Sequence, residues 1–155
     1  MANLKIHSIL SESKVNGPGS RIVIWTQGCS KACKGCFNPE TWTNEGGLNA
    51  SVYETYQLIK TLLTHNTGIT ITGGDPMEQS ESLFYLLKIC QEYSFEIAEV
   101  QLQLSGLVDH SSKLYAELSS YFLNVIFRRN SIDWSSTSFP SHYFTLLTNN
   151  LPCVS

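Results

Sequence analysis

Along the first two thirds of the chain, segments with the hydrophobic pattern of strands take turns with segments that have the hydrophobic pattern of helices. Residues 5–10 are predicted to form a first strand. Residues 21–25 (RIVIW) are almost all apolar, as expected of a strand buried on both faces of a parallel sheet. Residues 69–72 (ITIT) predict a short β-branched strand. Residues 100–104 alternate apolar with polar side chains, which predicts a strand with one buried face.

Two longer helices are predicted between these strands. The first begins at Ser51, because Glu54 follows three residues later in the pattern of a capping box, and it is predicted to stop at Gly68. Its apolar stripe consists of Val52, Tyr56, Ile59, Leu62 and Leu63. The second helix covers residues 80–93, and Cys90 faces inward there as a small core residue. A short helix over residues 112–118 and a strand over residues 123–127 complete the regular part.

Repeated strand–helix alternation predicts an α/β fold of parallel strands joined by right-handed crossovers. A chain of 155 residues fits one compact core. We place the core domain at residues 1–130. Residues 131–155 form a serine-rich, divergent C-terminal tail, in which residues 143–147 are a candidate closing strand.

The amino-acid composition indicates a globular protein and argues against a membrane-spanning, a nucleic-acid-binding and a disulfide-rich protein. The chain is 42% hydrophobic, as in globular proteins, and no apolar run is long enough to cross a membrane. A formal net charge of −3 argues against nucleic acid as the main partner, because phosphate binding needs a basic surface. The N-terminus does not look like a signal peptide, so we expect a cytoplasmic location. The odd total of five cysteines argues against a disulfide framework.

The strongest chemical signal is a run of three cysteines directly after the second predicted strand. Cys29, Cys33 and Cys36 have C-x3-C-x2-C spacing, and no fourth ligand lies nearby. A structural zinc site or an ordinary iron–sulfur cluster takes four protein ligands. Three ligands leave one metal position open, which favours a [4Fe–4S] cluster with one iron free to bind a small molecule. Zinc with a distant histidine is the alternative, and the available histidines are His7, His65, His110 and His142.

Several short motifs together resemble the radical S-adenosylmethionine (SAM) enzymes. They are residues 15–21 (VNGPGSR), Gln27-Gly-Cys29, Cys36-Phe-Asn38 with Trp42 shortly after, and Gly73-Gly-Asp-Pro76. Among those enzymes the chain is similar to the small activating proteins of glycyl-radical enzymes. The size matches the activating proteins of anaerobic ribonucleoside-triphosphate reductase. The resemblance covers about residues 5–127, and it implies a small open partial (β/α) barrel of parallel strands with flanking helices.

The resemblance also implies a role for each matching residue. Cys29, Cys33 and Cys36 would ligate three irons, and SAM would chelate the fourth. Gly73 and Gly74 would let the backbone approach the methionine end of SAM. The SAM-binding set is completed by Gly35, Phe37, Asn38, Asp75 and Pro76. Gly35 and Phe37 are expected near the adenine, and Gly74 and Asp75 near the SAM ammonium. No catalytic side chain is expected beyond the cluster and SAM.

The function that the resemblance implies is reductive cleavage of SAM to a 5′-deoxyadenosyl radical, which installs a glycyl radical on anaerobic ribonucleoside-triphosphate reductase. The electron donor would be a flavodoxin or ferredoxin. Lys31 and Lys34 either dock that donor and offset the cluster charge or are ordinary solvated lysines. Two alternatives stay open: a radical SAM enzyme acting on a small molecule, and a non-catalytic iron–sulfur or zinc module with a degenerate SAM site. The tail lacks the glycines expected after the last strand, so we predict weak SAM retention.

Overall fold

The computed structural model describes residues 2–17, 19–63, 68–93, 99–104, 125–129 and 144–145. Its strands are β1 (Asn3–Ser13), β2 (Arg21–Thr26), β3 (Leu48–Ser51), β4 (Gly68–Gly73), β5 (Glu99–Leu104), β6 (Val125–Arg129) and β7 (Phe144–Thr145). The helices are α1 (Val52–Leu62) and α2 (Ser80–Tyr93), and two 3₁₀ turns cover Pro39–Thr41 and Pro76–Gln79.

The strands form one mixed sheet in the order β3-β1-β2-β4-β5-β6-β7. Four neighbouring strands, β2, β4, β5 and β6, run parallel, as predicted. However, β1 pairs antiparallel with both β2 and β3, and β7 pairs antiparallel with β6. The prediction of an all-parallel sheet is therefore wrong, while the α/β class is confirmed. Residues 14–20 are too short for a parallel crossover, which needs a dozen or more residues, so β1 and β2 pair as neighbouring antiparallel strands. The partial barrel stays a prediction.

Both helices pack against the sheet in one hydrophobic core. The β2–β4 register places Ile22 beside Ile69 and Ile24 beside Ile71, so alternate residues of the two strands share one face. Helix side chains cover that face, with Ile59 from α1 and Leu83, Leu86, Leu87 and Cys90 from α2. Cys90 is a buried core residue, as predicted, and burial raises the pKa of its thiol to about 12.

Helix α1 begins as the sequence predicts and ends earlier. The Ser51 hydroxyl accepts a hydrogen bond from the Glu54 amide at 3.2 Å, and the Glu54 carboxylate accepts one from the Ser51 amide at 2.8 Å. The capping box is thus confirmed. The predicted stop at Gly68 is wrong. The helix ends at Leu62, and Gly68 is the buried first residue of β4, because its backbone joins the ladder opposite Arg21 and Glu99.

The remaining elements differ from prediction mainly at their ends. Helix α2 has the predicted bounds, and β5 begins one residue earlier than predicted. The strand predicted at residues 123–127 is observed at Val125–Arg129. Strand β3 was not predicted, because four residues of mixed character carry no clear period. The predicted helix at residues 112–118 lies outside the described residues. Strand β7 falls within the candidate closing strand at residues 143–147.

Candidate functional site

The two sequence motifs follow neighbouring parallel strands at the same edge of the sheet. Strand β2 ends at Thr26 and β4 ends at Gly73, and these two residues are paired in the ladder. The cysteine loop, residues 27–38, follows β2. The turn of residues 74–79 follows β4 and includes the 3₁₀ turn Pro76–Gln79. In open α/β sheets, ligands bind beyond the carboxyl ends of the strands, so both motifs lie where a site is expected.

The backbones of the two motifs are in direct contact. The Gly74 amide donates a hydrogen bond to the Thr26 carbonyl at 2.9 Å, and the Asp75 amide donates one to the Gly28 carbonyl at 3.1 Å. A Cβ on Gly74 would lie 2.1 Å from the Gly28 carbonyl oxygen, and a Cβ on Gly73 would lie 2.6 Å from the Thr26 amide nitrogen. Both glycines are therefore needed for packing within the chain itself. Their role in a close approach to SAM stays a prediction.

The three cysteines are free thiols on one loop. Cys29 is buried, and Cys33 and Cys36 are half-buried. The Cys36 amide donates to the Cys33 carbonyl at 3.1 Å, which closes a turn between the two residues. Ala32, at φ +42°, and Gly35, at φ +78°, adopt left-handed conformations. The loop thus folds back on itself and presents Cys33 and Cys36 at its partly exposed end.

The donor set of this loop fits an iron–sulfur cluster, because such clusters are held by cysteine thiolates and the loop offers three. Within the ranges given above, no three histidine, cysteine, aspartate or glutamate side chains are grouped as a site for one metal ion. The Asn38 amide lies 3.4 Å from the Cys36 sulfur and donates to it, a contact of the kind that stabilises cluster thiolates. His7 contacts the loop through Gln27, not through a thiol.

An ion pair joins the cysteine loop to the turn after β4. The Lys31 ammonium pairs with the Asp75 carboxylate, which is 2% exposed. The second Asp75 carboxylate oxygen accepts a hydrogen bond from the Met77 amide at 3.1 Å and thereby caps the 3₁₀ turn. The hydrogen bond to Asp75 raises the pKa of Lys31 above its ordinary value of 10.5, despite some desolvation. Lys31 is therefore not a freely solvated lysine, whereas Lys34 is exposed.

A second carboxylate contact, which the sequence did not indicate, lies beside the first. One oxygen of Glu78 accepts hydrogen bonds from the Ser30 amide at 2.7 Å and from the Ser30 hydroxyl at 2.6 Å. Ser30 directly follows Cys29. The turn after β4 thus contacts two consecutive residues of the cysteine loop, Ser30 and Lys31. Only tertiary contact reveals this pairing, because the partners lie 48 residues apart.

Two glutamines at the base of the loop were also missed by the sequence reasoning. Gln27 is 3% exposed and donates hydrogen bonds to the carbonyls of Glu40 and Thr43. Gln79 donates to the carbonyls of Lys5 and Gln27. For Gln27 the available signal was a polar residue at the first position after a mostly apolar strand, and Gln79 carried no such signal.

The other predicted site residues have the following positions. Asn38 precedes the turn Pro39–Thr41, and its carbonyl accepts from the Thr41 hydroxyl at 2.7 Å. Pro76 is buried and begins the second 3₁₀ turn. Gly35 and Phe37 are exposed, with 72% of Phe37 accessible. The structure thus brings Cys29, Gly74, Asp75 and Pro76 into one compact region, and Gly35 and Phe37 lie at its surface. Their contacts with SAM stay predictions.

Trp42 packs beside the loop base, where its carbonyl accepts a hydrogen bond from the Cys29 amide at 3.1 Å. Its indole nitrogen is the one buried side-chain polar atom in the described part of the chain that has no hydrogen-bond partner.

None of the helices in the described ranges combines the length and the apolar character that crossing a bilayer demands.

Comparison with known proteins gives a consistent result. A family model described as "4Fe-4S single cluster domain" matches residues 15–116, which include both motifs. The chain is 39% identical over 101 residues to a pyruvate formate-lyase-activating enzyme of Clostridium pasteurianum, a match that covers 61% of this chain and 41% of the relative. It is 40% identical over 68 residues to the anaerobic ribonucleoside-triphosphate reductase-activating protein of Enterobacteria phage T4, covering 41% of each protein.

Among solved structures, QueE from Escherichia coli superposes with a TM-score of 0.52 at 21% identity, covering 67% of this chain and 53% of that protein. This similarity supports the fold alone. The matched region spans about two fifths of the length of the two curated relatives.

Proposed function

The chain belongs to the 4Fe-4S single cluster domain family, and from that premise we propose that it is a radical SAM protein that installs a glycyl radical on a large partner enzyme. The observation that carries this proposal is the contact between its two motifs. The Gly28–Asp75 and Thr26–Gly74 hydrogen bonds hold the three-cysteine loop against the glycine-rich turn, so a cluster and a ligand bound to its open iron would share one region.

The described residues have distinct parts in this proposal. Cys29, Cys33 and Cys36 would hold three irons of a [4Fe–4S] cluster. Such a cluster, when reduced, supplies the electron that cleaves SAM to methionine and a 5′-deoxyadenosyl radical. Asp75, buried and paired with Lys31, would bind the SAM ammonium as a charge-assisted acceptor. Exposed Phe37, next to the last cysteine, would cover the adenine.

The partner is proposed to be anaerobic ribonucleoside-triphosphate reductase, in keeping with the name of the phage T4 relative. Pyruvate formate-lyase is the second candidate, because several relatives are named as activators of that enzyme. Both partners are glycyl-radical enzymes, so the chemistry asked of this chain is the same. The large size of either partner would cover the exposed end of the cysteine loop and keep water from the site.

A flavodoxin or ferredoxin is the proposed electron donor. Free thiols at all four described cysteines suit a reducing compartment, and the cytoplasm is the proposed location.

The test is anaerobic reconstitution with iron and sulfide, followed by reduction in the presence of SAM. We expect 5′-deoxyadenosine as a product. Adding purified anaerobic ribonucleoside-triphosphate reductase should then give the electron paramagnetic resonance (EPR) doublet of a glycyl radical. A parallel sample with pyruvate formate-lyase tests the second partner.

Each other outcome identifies a different function. Cleavage of SAM without a radical on either enzyme would favour a small-molecule substrate. A cluster without cleavage would indicate a non-catalytic module. Binding of zinc in place of a cluster would refute the proposal.

A further inference from the structure

The side chain of Gln27 is built into the base of the cysteine loop. It lies between the end of β2 and Cys29 and is 3% exposed. Its Nε2 atom donates to the Glu40 carbonyl at 3.1 Å and to the Thr43 carbonyl at 2.8 Å. Its Oε1 atom lies 2.8 Å from His7 Nδ1 and accepts a hydrogen bond from it. The amide therefore uses both of its N–H donors on the segment that leaves the loop.

Two backbone hydrogen bonds reinforce the same closure. The Gly28 amide donates to the Thr41 carbonyl at 2.7 Å, and the Cys29 amide donates to the Trp42 carbonyl at 3.1 Å. Residues 27–29 are thus paired with residues 40–43, and the segment between them, which carries Cys33 and Cys36, has both ends fixed. Loss of the Gln27 donors would remove two part-buried hydrogen bonds from this closure, so its two sides would separate more readily.

Gln79 connects this closure to the second motif. Gln79 is the last residue of the turn that follows Asp75. Its Nε2 atom donates to the Lys5 carbonyl at 2.9 Å and to the Gln27 carbonyl at 3.0 Å, and its Oε1 atom accepts from the Lys5 amide at 2.6 Å. The backbone amide of Gln27 also donates to the Lys5 carbonyl, at 2.9 Å. Both glutamines therefore contact the same residue of β1.

We propose that Gln27 is a positioning residue of the cluster site, whose side chain fixes the base of the cysteine loop, while Gln79, bonded to the Gln27 backbone carbonyl, fixes that base relative to the turn of residues 74–79. Gln27 acts through the loop and holds no iron or ligand itself. The proposal deepens the proposed function and rests on it for what the three thiols bind. The structural part of the proposal is that the buried side-chain amide of Gln27 holds the ends of the loop together before any cofactor binds. This part is tested separately.

The first experiment measures alkylation of the cofactor-free, full-length chain by iodoacetamide, read at each cysteine by mass spectrometry. In the wild type, buried Cys29 should react more slowly than half-buried Cys33 and Cys36. Gln27→Met keeps the side-chain volume and removes the amide. We expect it to raise the Cys29 rate about tenfold, because two part-buried hydrogen bonds are lost from the closure.

Cys90 supplies the internal reference, because it lies in the core and its thiol is exposed to reagent only when the fold opens. Its rate should not change in Gln27→Met. The matched control is Gln57→Met, the same substitution at an exposed position of α1, which should change neither rate. An unchanged Cys29 rate in Gln27→Met, or a parallel rise at Cys29 and Cys90, would overturn the proposal, since the second result means that Gln27 stabilises the whole fold.

The second experiment reconstitutes the cluster in wild type, Gln27→Met and Gln79→Met and records the EPR spectrum of the reduced state. Both glutamine variants should bind iron yet give a broadened spectrum, because the thiols are no longer held in one arrangement. Spectra identical to wild type would contradict the proposal. If the wild type cleaves no SAM, the proposed function fails, and the alkylation result still decides the role of Gln27.

Discussion

Lys31 and Asp75 form an ion pair that joins the cysteine loop to the turn after β4. The carboxylate is almost completely buried, whereas the lysine side chain is 42% exposed. Asp75 is also the residue that we propose for the SAM ammonium. The ammonium of Lys31 therefore pairs with the same carboxylate that the SAM ammonium would need.

This relationship predicts that replacing Lys31 strengthens SAM binding. In Lys31→Met the Asp75 carboxylate no longer has a competing cation, so we expect a several-fold lower dissociation constant for SAM in the reconstituted protein. Isothermal titration calorimetry under anaerobic conditions measures it. Lys34→Met, at an exposed position of the same loop, is the matched control and should leave the constant unchanged. Weaker binding in Lys31→Met would mean that Lys31 holds the loop in place and does not compete.

The contact between the two motifs predicts a large effect of Gly74→Ala. The added Cβ would lie 2.1 Å from the Gly28 carbonyl, so one of the two backbones must move. We expect a loss of about 1–3 kcal/mol in the free energy of unfolding, measured by urea titration.

Gly46→Ala is the comparison for this prediction. Gly46 has a positive φ, of +85°, whereas Gly74 does not, and a Cβ on Gly46 meets no atom within 4 Å. In Gly46→Ala the free energy of unfolding should fall only by the cost of backbone strain, about 1 kcal/mol. A loss in Gly74→Ala clearly below about 1 kcal/mol would show that the Gly28 contact does not exclude a side chain at residue 74.

The three loop cysteines are predicted to be required together for the cluster. Replacing Cys29, Cys33 or Cys36 by alanine should abolish stoichiometric iron and sulfide binding after reconstitution, because the loop then offers only two thiolates. Cys90→Ala should retain both, since Cys90 packs in the core between α2 and the sheet. Chemical analysis of iron and sulfide decides the matter. Full binding in any one of the loop variants would argue for a different ligand set.

The capping box predicts a pH-dependent stability difference. Hydrogen bonds from Ser51 lower the pKa of Glu54 below its ordinary value of 4.5. A lowered pKa in the folded state gives stability that is present above the unfolded pKa and is lost as pH falls through the folded one. Glu54→Gln should therefore be less stable than wild type at pH 7, and the gap should close below pH 4.5. Urea unfolding at pH 7 and pH 3 measures it.

Glu45→Gln is the control for this pH dependence, because Glu45 is an exposed loop glutamate outside the helix. Its stability difference from wild type should be small and should not change between the two pH values. A gap for Glu54→Gln that does not narrow between pH 7 and pH 3 would mean that the carboxylate charge is not responsible.

Local sequence was sufficient for the features that depend on near neighbours. The apolar run of β2, the capping box at Ser51 and the bounds of α2 each follow from residues a few positions apart. The cysteine spacing likewise indicated an iron–sulfur site, and the family match agrees. Strand direction was harder, because an apolar strand can pair either way. The antiparallel pairing of β1 followed from the short connection to β2, which the sequence reasoning did not weigh.

Tertiary structure alone decided how the two motifs are joined. The sequence identified Gly73, Gly74 and Asp75 as one motif and Cys29 as part of another, but only the contacts with the Thr26 and Gly28 backbones reveal why Gly73 and Gly74 are needed. Pairs such as Ser30 with Glu78 and Gln79 with Lys5 are separated by 48 and 74 residues. No local pattern encodes such partners, since each side chain finds its acceptor only after the parallel strands have brought their carboxyl ends together. The sequence by itself therefore determined the chemistry of the thiols, and the fold determined the base that holds them.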